Sequence, residues 1–315
     1  MNAFDINKAM KMPSNAAAAN NMGSEQYTHM FNDIQDVLDI NTFGTSLIMM
    51  LGASSNNFLV NHRFTLDREK PRYSFFCQYK KDNLQLNGTW IIQPGMKAFL
   101  KYSPTENFSQ ELSAIILKQE DSALWSCIVG RSMYKDKDSC TELVLDNQSG
   151  LALYYNQGIS KNMSVGVEGY FDFLSNKNIH VGVSCCYKDN LRKAIGTFTS
   201  NYSFYAFYLR MVNSNVALAA GCNVGNMNKP SEMHASCIIG AQFKLPKTKA
   251  EIQTTIDMTG TAKTVLREKL TSNAKIGFSG EFNPFFDNYK FGISFSYGIP
   301  VDKHYGFTPL SGTQN

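Results

Sequence analysis

Lys290-Phe291-Gly292-Ile293-Ser294-Phe295-Ser296-Tyr297-Gly298, near the end of the chain, alternates without a break. Wide apolar side chains stand at Phe291, Ile293, Phe295 and Tyr297, and small or polar ones at Lys290, Gly292, Ser294, Ser296 and Gly298. Successive side chains of a strand point to opposite faces, so this segment has one apolar face and one wet face. The same dyad recurs upstream. Tyr73, Phe75, Cys77 and Tyr79 oppose Arg72, Ser74, Gln78 and Lys80, and Met96, Ala98, Leu100 and Tyr102 oppose Lys97 and Lys101. Met163, Val165, Val167, Phe171 and Phe173 oppose Ser164, Glu168 and Asp172. Ala250, Ile252, Ile256 and Met258 oppose Lys249, Glu251, Gln253 and Asp257, and Ala274, Ile276, Phe278 and Phe282 oppose Asn273, Lys275, Ser279 and Glu281. Turn clusters such as Lys81-Asp82-Asn83, Asp136-Lys137-Asp138 and Ser175-Asn176-Lys177-Asn178 fall between them.

Between Gly44 and Gly298 these signals divide the chain into about nineteen strands of roughly ten residues, the length that crosses a bilayer when tilted. A soluble sandwich alternates too, but the number and regularity of the repeats favour an all-β transmembrane barrel, with its outside in lipid and its inside wet. Fewer than about sixteen strands would leave no open channel, and this count leaves a wide one. Two segments fit less well. Phe108 to Lys118 is apolar on both faces around Ile115-Ile116-Leu117, which predicts packing against something inside the pore, and Thr261 to Leu270 carries charge on both faces in Arg267-Glu268-Lys269, which predicts a shortened or protein-covered strand.

Composition agrees with a barrel. The 315 residues are 43% hydrophobic and 18% charged, with 9 Pro, and the longest apolar run, Leu47-Ile48-Met49-Met50-Leu51, is far too short for a spanning helix. Only every second residue of a barrel strand meets lipid, so slight average hydrophilicity is expected. A net charge of +4 is too small to argue for a nucleic-acid partner. The start, Met1-Asn2-Ala3-Phe4-Asp5, has neither the basic and apolar regions of a secretory signal nor the arginines of a transit peptide. Seven cysteines, odd in number and without C-x-x-C spacing, argue against a disulfide framework or a zinc site and for synthesis in a reducing compartment.

Residues 1–23 are polar, with the run Ala16 to Ala19 between asparagines, and read as a disordered arm. From Ser24, a candidate N-cap, Tyr27, Met30, Phe31, Ile34, Val37 and Leu38 fall at helical spacing, so residues 24–40 are expected to form one amphipathic helix. Burying its stripe of Tyr27, Phe31 and Ile34 against the inner wall explains such a helix ahead of a barrel, and places it in the pore. The barrel is expected to span 44–298 and a tail 299–315.

A helix followed by about nineteen strands is similar to the mitochondrial porin superfamily, which holds the voltage-dependent anion channels and the channel subunits of the outer-membrane protein translocase, TOM. Two motifs resemble the TOM channels. Phe58, Val60, Asn61 and His62 match their Phe-x-Val-Asn-His signature on the second strand, and Tyr289 to Gly298 resembles their last strand, preceded by the basic run Leu266-Arg267-Glu268-Lys269-Leu270. The middle strands match only in pattern, and the N-terminal arm lacks the proline-rich character common in the family. The resemblance implies that Lys290, Gly292, Ile293, Phe295 and Tyr297 form a sorting signal for assembly into the outer membrane of a mitochondrion or mitochondrion-related organelle. It also implies small helical TOM subunits, a receptor subunit, precursor polypeptides with basic presequences and further copies of the barrel as partners, with membrane lipid around it.

An enzyme reading finds no P-loop, no G-x-G-x-x-G after a strand, no H-E-x-x-H and no G-x-S-x-G, and the five histidines are scattered. No cofactor is called for. Extending the alternation puts Glu111, Glu142, Glu168, Asp172, Glu251, Asp257 and Glu281 inside, with Lys97, Lys101, His180, Arg210, Lys249, Lys275 and Lys290 and the apolar Phe76, Phe99 and Tyr170. Such acidic patches suit basic, amphipathic presequences, whereas a small-anion channel would want surplus lumen cations. The near balance leans toward a protein-conducting pore. A metabolite porin like the anion channels, and a soluble all-β binding protein, are the alternatives.

Overall fold

The structure, a computed structural model, describes residues 30–40, 42–43, 46–66, 71–91, 95–117, 125–147, 150–172, 179–227, 231, 233–285 and 288–298. The predicted arm 1–23, the tail 299–315, the first turns of the helix with Tyr27, and Phe173 lie outside the described residues. What is described is a closed barrel of nineteen strands with one short helix inside.

The strands are β1 (Leu47–Ser54), β2 (Phe58–Leu66), β3 (Arg72–Lys81), β4 (Leu84–Ile91), β5 (Gly95–Tyr102), β6 (Phe108–Leu117) and β7 (Trp125–Lys135). They continue as β8 (Ser139–Asp146), β9 (Gly150–Gly158), β10 (Met163–Asp172), β11 (Ile179–Lys188), β12 (Arg192–Thr199) and β13 (Ser203–Asn213). The last six are β14 (Val216–Gly225), β15 (His234–Leu245), β16 (Ala250–Asp257), β17 (Ala262–Lys269), β18 (Ala274–Asn283) and β19 (Asn288–Tyr297). Each strand pairs antiparallel with the next. The ring closes where β1 meets β19 in parallel, Leu47 opposite Ile293 and Leu51 opposite Tyr297. An odd strand number forces this: strands that alternate in direction leave the first and last pointing the same way. Closure is obligatory in lipid, because an open edge would strand backbone N–H and C=O groups without partners. At a strand spacing near 4.8 Å and a tilt of about 40°, nineteen strands enclose a backbone cylinder of about 40 Å.

The dyad pattern decides the faces. Odd-numbered strands run toward one rim, the upper, and even-numbered strands return. The outer wall carries exposed Leu47, Met49 and Leu51 of β1, Val181 and Val183 of β11, and Phe291 and Ile293 of β19. Near the upper rim Tyr102, Tyr134, Tyr155, Tyr187 and Tyr297 stand exposed, and Trp90, Phe282 and Tyr289 stand near the lower one. Amphipathic rings at both ends of an apolar band are the girdles of a membrane barrel. Tight turns close the upper rim. In one, Asp189 accepts hydrogen bonds from the N–H groups of Leu191 and Arg192, each 2.7 Å.

The helix α1 (Asn32–Leu38) lies against the inner wall on β13, β14, β15 and β16. Met30, Phe31, Ile34, Val37 and Leu38 are buried there with Leu209, Ala217 and Ala219, and the half-buried Phe207 and Ile238 pack around them. The Phe31 ring meets Phe207 edge-on at 5.5 Å. The doubly apolar β6 is not the seat of α1, and Ile115, which faces the lumen, is only half-buried.

Candidate functional site

The lumen is the candidate site, and α1 sets its shape. On β14 and β15 four of the lumen-facing positions under the helix are small: Ala217, Ala219, Gly221 and Gly240. A Cβ at Gly240 would lie 3.0 Å from the Val37 carbonyl oxygen and from Leu38 Cδ2, and one at Gly221 would lie 3.1 Å from Leu38 Cδ1. The backbone of α1 approaches so closely because these side chains are missing. Polar ties fix its angle. Gln253 donates from Nε2 to the Asp36 carbonyl at 2.8 Å and itself accepts from Arg267 Nη1 at 2.6 Å. Lys193, almost fully buried, reaches the half-exposed Asp33 at 3.0 Å, with Lys188 3.7 Å away on the same carboxylate. The chain then crosses toward β18, where the Phe43 N–H donates to Ser279 Oγ at 2.8 Å and Thr42 Oγ1 to Glu281 Oε2 at 3.3 Å.

Away from the helix the lumen is ionic. Lys101, Glu111, Arg131 and Glu142 form a chain across β5 to β8. Lys101 Nζ donates to Glu111 Oε1 at 2.6 Å, and Arg131 Nη1 lies 3.9 Å from Glu111 Oε2. Arg131 Nε lies 2.8 Å from Glu142 Oε1, an ion-pair contact rather than an aligned hydrogen bond. Arg131 is 8% exposed and Glu142 1%, so this pair is held in a low dielectric where removing one partner is costly.

The register places the sequence-predicted residues as follows. Glu111, Glu142, Glu168, Asp172, Glu251 and Glu281 stand on lumen-facing positions of β6, β8, β10, β16 and β18. Several are already engaged: Glu251 accepts from Gln242 Nε2, Glu281 holds Lys290 Nζ at 3.4 Å, and the Glu168 side chain lies over Gly182. Asp257 has the lumen-facing parity too, opposite Ile238, but at the strand's end. It ends β16, and its carboxylate accepts the N–H groups of Thr259 at 2.9 Å and Thr261 at 3.0 Å, which ties it to its own turn at the rim. Arg210 is a correction: by register it shares the outer face of β13 with Phe204 and Tyr208. Lys249 sits in the turn before β16 with φ at 53°. Of the strand motif, Asn61 faces the lumen and is buried, whereas Phe58, Val60 and His62 face outward, His62 Nδ1 lying 2.7 Å from the Tyr73 hydroxyl. Lys290 and Gly292 face inward, and Ile293, Phe295 and Tyr297 outward.

The expected charge balance also changes. The lumen positions of the described strands add Arg63, Arg72, Lys80, Arg131, Lys135, Lys188, Lys193, Lys244, Lys263, Arg267 and Lys269 to the cations, but only Asp146 to the carboxylates. Cations therefore outnumber carboxylates on the inner wall. They are segregated: Arg63, Arg72, Lys80, Lys97 and Lys101 line β2 to β5, while Glu142, Asp146, Glu168 and Asp172 line β8 to β10. The seat of α1 is legible in one signal, the loss of alternation in Phe204 to Leu209 and Val216 to Cys222, where both faces are apolar or small.

A ring of strands with an apolar outside, aromatic girdles and a wide, charged, helix-narrowed inside defines a membrane pore of the porin class. Residues 24–292 match the eukaryotic porin family, and the chain belongs to that family. It is also similar, at 24% identity over 224 residues that cover 70% of this chain and 68% of the relative, to a probable mitochondrial import receptor subunit, TOM40-2, of Arabidopsis thaliana. The chain is a porin-family channel of the mitochondrial outer membrane.

Proposed function

We propose that this barrel conducts unfolded precursor proteins across the outer membrane, in company with small helical TOM subunits, a receptor subunit and further copies of itself. The observation that carries the reading is the similarity to an import receptor subunit across most of both chains. The lumen adds chemical support: Asp146, Glu168 and Asp172 on β8 and β10 offer a basic presequence counter-charge, and the apolar Phe76, Phe99 and Tyr170 offer its other face contact. A second reading, a metabolite porin, is favoured by the surplus of lumen cations, which suits small anions.

Neutralising Glu168 and Asp172 as Glu168→Gln and Asp172→Asn separates the two. Import of basic precursors into isolated organelles should fall about threefold or more at unchanged barrel levels, through lost electrostatic guidance. Equal import of basic and non-basic precursors together with altered small-anion flux would overturn the import reading in favour of the metabolite pore.

A further inference from the structure

By register the outward positions of the described strands carry four charged residues, Lys81, Arg192, Arg210 and Glu268, all toward the upper rim. Two of them are neighbours. Arg192 opens β12 and lies directly opposite Arg210 on β13, and both side chains are exposed. Directly opposed residues of an antiparallel pair have Cβ atoms only about 5 Å apart, and like charges there repel. The protein relieves this pair only in part: among the described residues neither guanidinium has a carboxylate within ion-pair distance, and Asp189 attracts Arg192 alone, from farther off. Asp189, the nearest in sequence, spends its oxygens on the N–H groups of Leu191 and Arg192 and on the Tyr187 hydroxyl at 3.2 Å. Those hydrogen bonds, led by the one from Leu191, hold it below the usual carboxylate range, so it stays an occupied anion of the turn.

The surroundings say what relieves the repulsion instead. Exposed Leu191, Tyr208, Val212 and Leu218 flank the two guanidiniums, a setting of acyl chain and headgroup rather than bulk water. Arg presents a planar fork of donors that matches phosphate, and two forks side by side can take one phosphate between them. We infer that Arg192 and Arg210 form a binding site for the headgroup phosphate of an anionic phospholipid at the upper membrane interface, with its acyl chains laid on Tyr208 and Leu218. The site lies on β12 and β13, on the wall whose inner face seats α1. A bound lipid there braces the strands that hold the helix.

The test is native mass spectrometry of the whole barrel in detergent, titrated separately with phosphatidylglycerol, with phosphatidylcholine of the same chains, and with inorganic phosphate. Wild type should retain phosphatidylglycerol about tenfold more tightly than phosphatidylcholine, and Arg192→Gln with Arg210→Gln should remove that preference, whereas Lys81→Gln should keep it. Arg192→Lys with Arg210→Lys keeps charge but not the fork, and should recover only part of it. No preference in wild type, or an unchanged preference in the Gln pair, would overturn the site. Equal capture of inorganic phosphate would overturn its assignment to a lipid. The wild-type comparison decides even where a variant fails to assemble.

Discussion

Gly240→Val should lift α1 off the wall. The contribution of docking follows from what it buries and what it orders. Five buried side chains, Met30, Phe31, Ile34, Val37 and Leu38, contribute about 2 kcal/mol each, roughly 10 in all. Ordering the backbone of the nine residues from Met30 to Leu38 costs about 1.1 kcal/mol each, again roughly 10. The remainder is the set of polar ties from Gln253, Lys193 and Ser279, about 1 kcal/mol each after discounting for the half-exposed Asp33. Docking is then favoured by about 3 kcal/mol, and below about 1% of barrels have the helix free. At position 240 the added side chain meets the Val37 carbonyl oxygen, which moves only with the helix. Overpacking of this kind costs about 2 kcal/mol, which raises the undocked fraction to roughly 15%. Hydrogen exchange of the Gln35 to Leu38 amides should quicken about twentyfold, with strand amides unchanged. Gly130→Val is the control, since a Cβ there meets nothing. Unchanged exchange in Gly240→Val, or equal quickening in Gly130→Val, would refute the reasoning.

Arg131→Ala leaves the 1%-exposed Glu142 without its cation and should destabilise the barrel by about 3 kcal/mol or more, whereas Glu111→Gln, which leaves that pair intact, should cost about 1 kcal/mol; denaturant unfolding in detergent measures both. Cysteines at Met49 and Phe295, opposite each other across the parallel seam, should be joined by a short cross-linker, while Met49 with Phe291 should not; the reverse pattern would overturn this register of the seam. Replacing Gly292 and Phe295 by charged residues should block membrane assembly in organelles, and normal assembly would remove the sorting role proposed for β19.

The barrel was legible because lipid on one side and water on the other imprint every second residue; β3, β5, β11 and β19 show it without ambiguity. Legibility failed where that contrast disappears. Along β13 the inner positions Tyr205, Phe207, Leu209 and Met211 are as apolar as the outer ones, because α1 or its surroundings take the place of water on that face. With both faces apolar the parity of the strand is not legible, and alternation alone puts Arg210 on the wrong side. Arg131 is not legible on β7, where Cys127, Val129 and Met133 make the lumen face look apolar and the charge has its partners on neighbouring strands. Asp257 obeyed the alternation, but its position at a strand end handed it to a turn. Pairing partners, which decide what a lumen charge can still do, belong to register and not to periodicity.

The seam of β1 and β19 separates one step of barrel formation from all others in kind. Every other pairing joins strands adjacent in the chain, and can form as a local hairpin soon after its residues are made. The seam joins Leu47 to Ile293, almost the full length of the barrel apart, and forms only when all the hairpins stand in line. Until then the sheet carries two unsatisfied edges, β1 on one side and on the other the strand added last, in the end the one that bears Gly292 and Phe295. A sheet built this way becomes a barrel in a single closing event, and the first strand alone decides whether the last one finds its partner.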